Sequence, residues 1–419
     1  FRALYVQDDW RLSNRLRLSL GLRYEHEGGI TERFSRAVAG GFLADAKLPF
    51  SDAAEAAYAR SPLTEMPAAQ FKVLGGTEYL GAQRKKFTDG TNFLLPRIGV
   101  VYQINSKTVL RTGYGWYYDT LNANNTRPNQ LGYSLPTGTP VSNDNGVTFC
   151  CGVGAAAGLS SSSNPMADPF PVRAGGSRFD VPYGNSLGPV AFAGRGLTFT
   201  PRDFQPARQQ RWRIGLQRQI GGDTLLDVSY NGSYAKIPVS QPVSFLPQQY
   251  WATGNVRNQA IDDDLNRNVP NPFSTANLSA LQTSNPALYS YLRTQAFFTS
   301  STIRKNQLLR AFPQMNGLTG VRPGVSAADS MGRTRYHDFQ FLFEKRYSRG
   351  LQTTVMYTYS YSEIQDLYWN EFDARPSYEP NTLTRPHRLV WSAIYELPFG
   401  KGRKWLQTGP LQHLIGAGS

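Results

Sequence analysis

No run of eighteen apolar residues occurs in this chain of 419 residues, so it holds no helix built to cross a bilayer. That absence leaves strands untouched, because only every second residue of a membrane strand has to face lipid. Cysteine is nearly missing. The two present, Cys150 and Cys151, are adjacent in a glycine-rich stretch, and without a second CxxC they cannot supply the four ligands of a zinc site. They are read as loop cysteines without a catalytic role, their oxidation state open. Histidine is scarce too, with four in the chain. Acid is outnumbered: 30 Asp and Glu against 44 Lys and Arg leave a net charge of +14. The basic residues are spread over strands and loops and form no block, which argues against nucleic acid as a partner. Neither an initiator methionine nor a signal peptide opens the chain, which begins FRALYVQDDW inside a strand pattern. An internal piece of a longer protein is therefore expected. No repeat of about 20–50 residues recurs, so a solenoid or propeller is not expected.

What the chain does have is 23 Tyr, 23 Phe and 7 Trp beside 39 Gly and 27 Pro, a balance that favours strands, turns and long loops. Residues 16–27, LRLSLGLRYEHE, show the basic unit. Leu16, Leu18, Leu20, Leu22 and Tyr24 share one parity; Arg17, Ser19, Gly21, Arg23 and Glu25 share the other. Strands of this kind are predicted at about 2–11, 15–27, 94–104, 108–118, 208–220, 224–235, 336–347, 351–362 and 388–397. Within each pair the connection is short: LSN, NSK, GGD and SRG, all sequences that suit tight hairpins. Between pairs the connections are long, at about 28–93, 119–207, 236–335 and 363–387. A compact soluble domain connects its elements with a handful of residues, whereas outer-membrane barrels have short turns on one rim and long loops on the other. Short helices are expected inside the loops, for example DAAEAAYAR at 52–60.

Ten strand residues at about 3.3 Å each, tilted by about 40°, span about 25 Å, the height of an outer-membrane apolar band. Trp10, Tyr24, Trp116, Tyr118, Trp212, Tyr230, Tyr347 and Tyr361 lie near strand ends, where an apolar body with a polar tip suits a membrane interface. The wet parity carries Arg17, Arg23, Arg97, Arg111, Arg211, Arg213 and Asp227, a row at home in an aqueous lumen. Leu16 to Tyr24 are thus expected to touch lipid; a charge at Leu20 should be resisted and one at Ser19 accepted. The fold class expected is all-β, an antiparallel transmembrane barrel.

Several segments resemble a known family. YVQDDWRLSNRLRLSLGLRYE and LLPRIGVVYQINSKTVLRTGYGWYYD resemble barrel strands of TonB-dependent outer-membrane receptors. QRWRIGLQRQIGGDTLLDVSYNGS, LLRAFPQMNGL, YHDFQFLFEKRYSRGLQTTVMYTYSYS and RPHRLVWSAIYELPFGKGRKW are similar to segments of its Oar-like branch. The resemblance runs from residue 1 to about 405 and covers the strands far better than the loops. It implies a barrel of about 22 strands, of which about nine are present here, with an N-terminal plug contacting TonB and a carboxypeptidase-regulatory-like domain ahead of it. Neither the plug nor that domain is in this sequence, so the chain is expected to be a fragment of the barrel. The implied partners are outer-membrane lipid, the TonB complex through the plug, and a scarce solute: iron chelate, cobalamin, saccharide or peptide. A passive porin and a surface adhesin remain as alternative readings.

Catalytic and cofactor motifs find little support. GNSLG at 184–188 matches G-x-S-x-G around Ser186, yet Pro182 and Pro189 flank it where a strand and a helix are needed. GVGAAAG, with Gly152, Gly154 and Ala157, precedes LSSSSNP, which cannot open a phosphate-binding helix. Asp262, Asp264 and Asn266 occupy calcium-loop positions one, three and five, but Arg267 stands at six and Phe273 at twelve. That leaves a solvated loop as the reading, with a looser calcium contact at Asp262 and Asp264 open. His26 sits between Glu25 and Glu27, and His337 and His387 stand alone, so all three are read as interfacial or loop histidines. No enzyme, cofactor or metal site is expected. Loops 119–207 and 236–335 are the expected capture surface, with Tyr133, Tyr183, Tyr250 and Trp251 available to stack on a ligand.

Overall fold

The computed structural model describes residues 1–34, 36, 41–80, 86–119, 132–138, 145, 147, 170, 176–251, 254, 256–321, 331–371, 373–399, 404, 405 and 407–409. Cys150, Cys151 and the 152–158 glycine stretch lie outside them. Nine long strands build one antiparallel sheet: β1 (Arg2–Arg11), β2 (Leu16–Glu27), β3 (Thr91–Asn105), β4 (Thr108–Tyr118), β5 (Arg208–Ile220), β6 (Thr224–Ile237), β7 (Gly332–Ser348), β8 (Leu351–Leu367) and β9 (His387–Tyr395). Each pairs with its neighbour in chain order, so the sheet is a simple meander. The short strand Ser377–Pro380 pairs with the upper part of β8 and β9 with the lower part, as if one strand were broken at 381–386.

Local chemistry sets the tight rim. Ser13 Oγ accepts from the amides of Arg15 and Leu16 at 3.2 and 3.0 Å in the β1–β2 turn. Asn105 Oδ1 accepts from the Lys107 amide at 2.9 Å between β3 and β4. At β7–β8 the turn has Arg349 at φ 54° followed by Gly350 at φ 78°, a left-handed pair that matches strand twist.

The register carries one parity unbroken across the sheet. Val6 faces Leu22, Leu20 faces Ile98, Ile98 faces Tyr114, Ile214 faces Tyr230, and Phe341 lies between Val228 and Tyr357. This face is largely apolar, with Asp8 an exception on β1, and uncovered: Leu22 is 43% exposed, Ile214 55% and Leu389 67%. A soluble sandwich would bury it.

The hydrophobic core lies elsewhere. The largest cluster of buried apolar residues, including Phe50, Phe71, Phe273, Leu278, Leu292 and Phe298, draws nothing from the nine long strands. All of it comes from three of the long connections, which meet at the same rim of the sheet. Helix α1 (Ser51–Ala59) buries Ala54 and Tyr58 in this cap, and Tyr58 stacks on Phe71 with centroids 3.9 Å apart. The third connection supplies α2 (Gln259–Asn266), α3 (Leu281–Ser284), α4 (Pro286–Leu292), α5 (Ala296–Thr299) and α6 (Lys305–Leu308). Asn258 caps α2 and Asn285 caps α4 through side-chain oxygens that accept from Ile261 and Leu288 amides.

Polar ties cross between connections. Gln314, fully buried, donates to the carbonyls of Leu74 and Gly75 at 2.7 and 2.8 Å. Lys305, 2% exposed, donates to Glu65 Oε1 at 2.6 Å and Asp264 Oδ2 at 2.5 Å, joining the first connection to the third. Burial by itself would lower the Lys305 pKa, but the hydrogen bonds with Asp264 and Glu65 outweigh it and hold it above the ordinary lysine value. Glu65 is held below the usual carboxylate range by its bond to Lys305, and Asp264 by Lys305 and then Arg267. The depressed carboxylates stabilise the cap above their unfolded values near pH 4 and cease to as pH falls through the folded ones. The raised lysine stabilises below its unfolded value near pH 10.4 and ceases to as pH rises through the higher folded one. Cap stability, followed by protection of the 238–331 segment from limited proteolysis, should therefore be flat across neutral pH and fall on both flanks. Lys305→Met should abolish the alkaline flank and shrink the acid one, which Arg267 still sustains at Asp264, while costing only about 1–2 kcal/mol, because Glu65 and Asp264 are partly exposed and rehydrate.

Candidate luminal binding surface

The sheet face opposite the apolar one is polar, and its rows follow from the pairing register. One row reads Gln7, Gly21, Arg97, Gly115, Arg211, Ser233, Tyr336 and Ser362 from β1 to β8. The next reads Asp9, Ser19, Gly99, Gly113, Arg213, Asn231, Asp338 and Ser360. Glycine and arginine alternate through the middle of the first row, and in the second two adjacent glycines stand beside Arg213, so each long side chain has an empty neighbour to lie across. All of these residues but Asp9, Asp338 and Ser360 line a concavity of about 840 Å³.

Tyr117 organises its centre. The ring leans over Gly115, where an added Cβ would sit 3.1–3.3 Å from the Tyr117 ring and hydroxyl. That position puts the Arg97 and Arg211 guanidinium carbons 5.0 and 5.2 Å from the ring centroid. Arg211 Nε also donates to Gln209 Oε1 at 2.7 Å. Arg213 turns away, its Nη2 3.6 Å from Asp227, and Arg23 is paired with Glu25. Asn231 donates to Asp338 at 2.6 Å. Among the described residues lining the concavity there is no carboxylate.

The motif residues fall into unremarkable places. Ser186 sits in a turn between Gly184 and Gly188, both at positive φ, and its hydroxyl donates to the Tyr183 carbonyl at 2.6 Å. Among the described residues no histidine accompanies it there, and a 3₁₀ turn, Gly188–Val190, follows in place of a long helix. The solvated-loop reading of Asp262 to Asn266 is corrected: these residues form the end of α2. On a helix, positions two apart point away from each other, and each acid has a cationic partner, Asp262 with Arg257 and Asp264 with Lys305 and Arg267. Among the described residues no group of three or more His, Cys, Asp or Glu is placed to hold a metal.

His26, His337 and His387 are strand residues of the outer face. His26 Nδ1 lies 2.9 Å from Asn92 Oδ1, which also accepts from Tyr24 at 2.8 Å. His337 lies 2.7 Å from the Tyr230 hydroxyl and His387 2.8 Å from that of Tyr357. The loop aromatics are engaged in packing. Tyr183 meets Tyr291 edge-on at 4.7 Å, Tyr250 donates to the Glu65 carbonyl at 3.3 Å, and the Trp251 indole donates to Leu246 at 3.2 Å. Arg36 lies over Tyr133 at 5.2 Å. Beside Tyr183 and Tyr291 a hollow of about 320 Å³ opens in the cap.

The sequence of residues 1–417 matches the family model described as outer membrane beta barrel domain. The chain belongs to that family. It is an outer-membrane protein, and the apolar sheet face is its lipid-facing surface. No curated protein matches it in sequence. Similar solved structures include the alcaligin outer-membrane receptor FauA from Bordetella pertussis, at 9% identity and a TM-score of 0.32, covering 95% of this chain and 34% of that one. The ferric yersiniabactin uptake receptor FyuA from Yersinia pestis gives 7% and 0.33, covering 93% and 30%. The Serratia marcescens hemophore receptor HasR gives 12% and 0.34, covering 94% and 39%. The chain thus spans about a third of the length of these proteins.

Within the outer membrane beta-barrel domain, the wet parity read from the sequence is the luminal face, and Arg97, Arg211 and Arg213 line its concavity. Tyr117 and the glycines beside it went unnoticed. The signal was there, in glycine recurring on the wet parity next to arginine: Gly21 and Arg23, Arg97 and Gly99, Arg111, Gly113 and Gly115.

Proposed function

We propose that this chain is the barrel portion of a TonB-energised receptor that takes up a scarce solute across the outer membrane, of the Oar-like branch that its strand sequences resemble. The observation that carries the reading is a polar luminal concavity on a sheet whose long connections leave one rim, three of them folding into a packed cap. A packed cap can present a shaped entrance, while the polar wall can pass a hydrated solute. Among the described residues β1 and β9 each pair on one side only, and closure of a barrel calls for further strands at both edges. A plug contacting TonB, with a regulatory-like β-domain ahead of it, completes the proposed receptor.

Uptake measured in cells expressing the intact gene tests this. Accumulation of a candidate solute should collapse when the proton-motive force is discharged. Uptake that survives discharge assigns the barrel to the passive class. Binding of a surface partner with no uptake at all assigns it to the adhesins.

A further inference from the structure

We propose that Arg97, Tyr117 and Arg211 form a clamp on the luminal wall that binds a small oxyanion, a carboxylate or phosphate group of the transported solute. The inference rests on the uptake reading and narrows its substrate class.

Three observations converge on the clamp. The two guanidiniums sit on β3 and β5, two strands apart, and both stand against the one Tyr117 ring, which places them no more than about 10 Å from each other. Bringing two like charges together with no acid between them calls for a counter-anion. Elsewhere on this face Arg213 has Asp227, Arg23 has Glu25, and Asp338 accepts from Asn231. Arg97 has the Tyr117 ring, and Arg211 has that ring and the Gln209 amide oxygen, and no carboxylate lines the concavity among the described residues.

The site is also held in shape. Arginine is a flexible side chain, and stacking on a ring reduces the freedom it has to lose when it grips a ligand. A Cβ at Gly115 would crowd the Tyr117 ring at 3.1–3.3 Å, so glycine lets the ring lie this close to the wall. Gly99 and Gly113 leave the wall beside the clamp bare, so a ligand can reach the guanidiniums closely. Ser19, Gln209 and Ser233 surround it with neutral hydrogen-bonding groups. A planar guanidinium fork matches a carboxylate or phosphate edge with two parallel bonds, which a neutral sugar cannot reproduce.

The experiment is calorimetric titration of the detergent-solubilised barrel purified from cells expressing the intact gene, at low ionic strength, with inorganic phosphate, with citrate and with maltose. Saturable one-site binding of phosphate or citrate, and none of maltose, is expected; which of the two binds more tightly separates phosphate from carboxylate. Arg97→Gln/Arg211→Gln should weaken the anion at least tenfold. Arg17→Gln/Arg388→Gln removes the same charge from the same face outside the clamp and should leave affinity within twofold. Tyr117→Leu, which keeps both charges and frees their side chains, should weaken binding by about three- to tenfold. No saturable heat from either anion, or equal loss in the two double variants, overturns the clamp. Proton-motive-force-dependent uptake unaffected by Arg97→Gln/Arg211→Gln would sink the clamp alone, whereas anion binding in a barrel that transports nothing would sink the uptake reading.

Discussion

Phe273→Ala should unravel the cap and leave the sheet standing. Phe273 has no exposed surface and sits among Phe50, Phe71 and Phe297, with ring centroids 6.4, 6.4 and 5.4 Å away. Truncating a buried phenylalanine costs about 3–5 kcal/mol, through lost transfer energy and the cavity left behind. The neighbours have little freedom to collapse into that cavity, since Phe50, Leu278 and Phe298 are themselves fully buried. The penalty should be confined to the cap because its core takes no residue from the nine long strands. Hydrogen exchange reads the two parts separately. Amides of α1 and α4 should lose protection by a factor of about 100–1,000 or more, as a change of this size implies. Amides at the middle of β6 and β7 should be unchanged. Equal loss in both would mean that cap and sheet unfold as one unit.

Val228→Arg should cost about 2–4 kcal/mol, the penalty for a charge on the lipid face near mid-bilayer. Val228 lies between Leu216 on β5 and Phe341 on β7, all on the apolar parity, and no acid stands opposite it. Ser19→Arg, on the luminal parity beside Asp9, should cost less than about 1 kcal/mol, since lumen substitutions leave lipid contacts intact. Leu20→Arg should fall between the two. The register sets Asp8 directly across from Leu20 on the outer face, close enough for an introduced guanidinium to find a carboxylate. Urea titration of the protein refolded into lipid vesicles would measure all three. Equal tolerance at Val228 and Ser19 would mean that the assigned outer face does not meet lipid.

The sheet was legible because its pattern is local. Alternation along LRLSLGLRYEHE requires only period two, and a tight turn requires only a few residues such as SRG or GGD. Thus β2, expected at about 15–27, runs Leu16–Glu27, and β5, expected at about 208–220, runs Arg208–Ile220. β3 begins at Thr91, ahead of the expected 94, because its first residues continue pairing with Glu25 to Glu27 above the membrane band. Which parity faces outward also followed from composition, since leucine fell on one side of β2 and arginine on the other.

The cap was not legible in this way. Its helices are four to nine residues long and take their stability from contacts between distant connections, as Phe273 does from Phe50 and Phe71. The acids of α2 read as a solvated loop because Lys305, about forty residues on, is the partner that folds Asp264 inward. The luminal site divides along the same line. Alternation put Arg97 and Arg211 on the wet face, but only the pairing of β3, β4 and β5 sets them around Tyr117, with Gly115 between. Strand parity depends on the nearest neighbours along the chain, and sequence by itself determines it. Register across strands and packing between loops depend on residues tens to hundreds of positions apart, and the tertiary structure alone decides them.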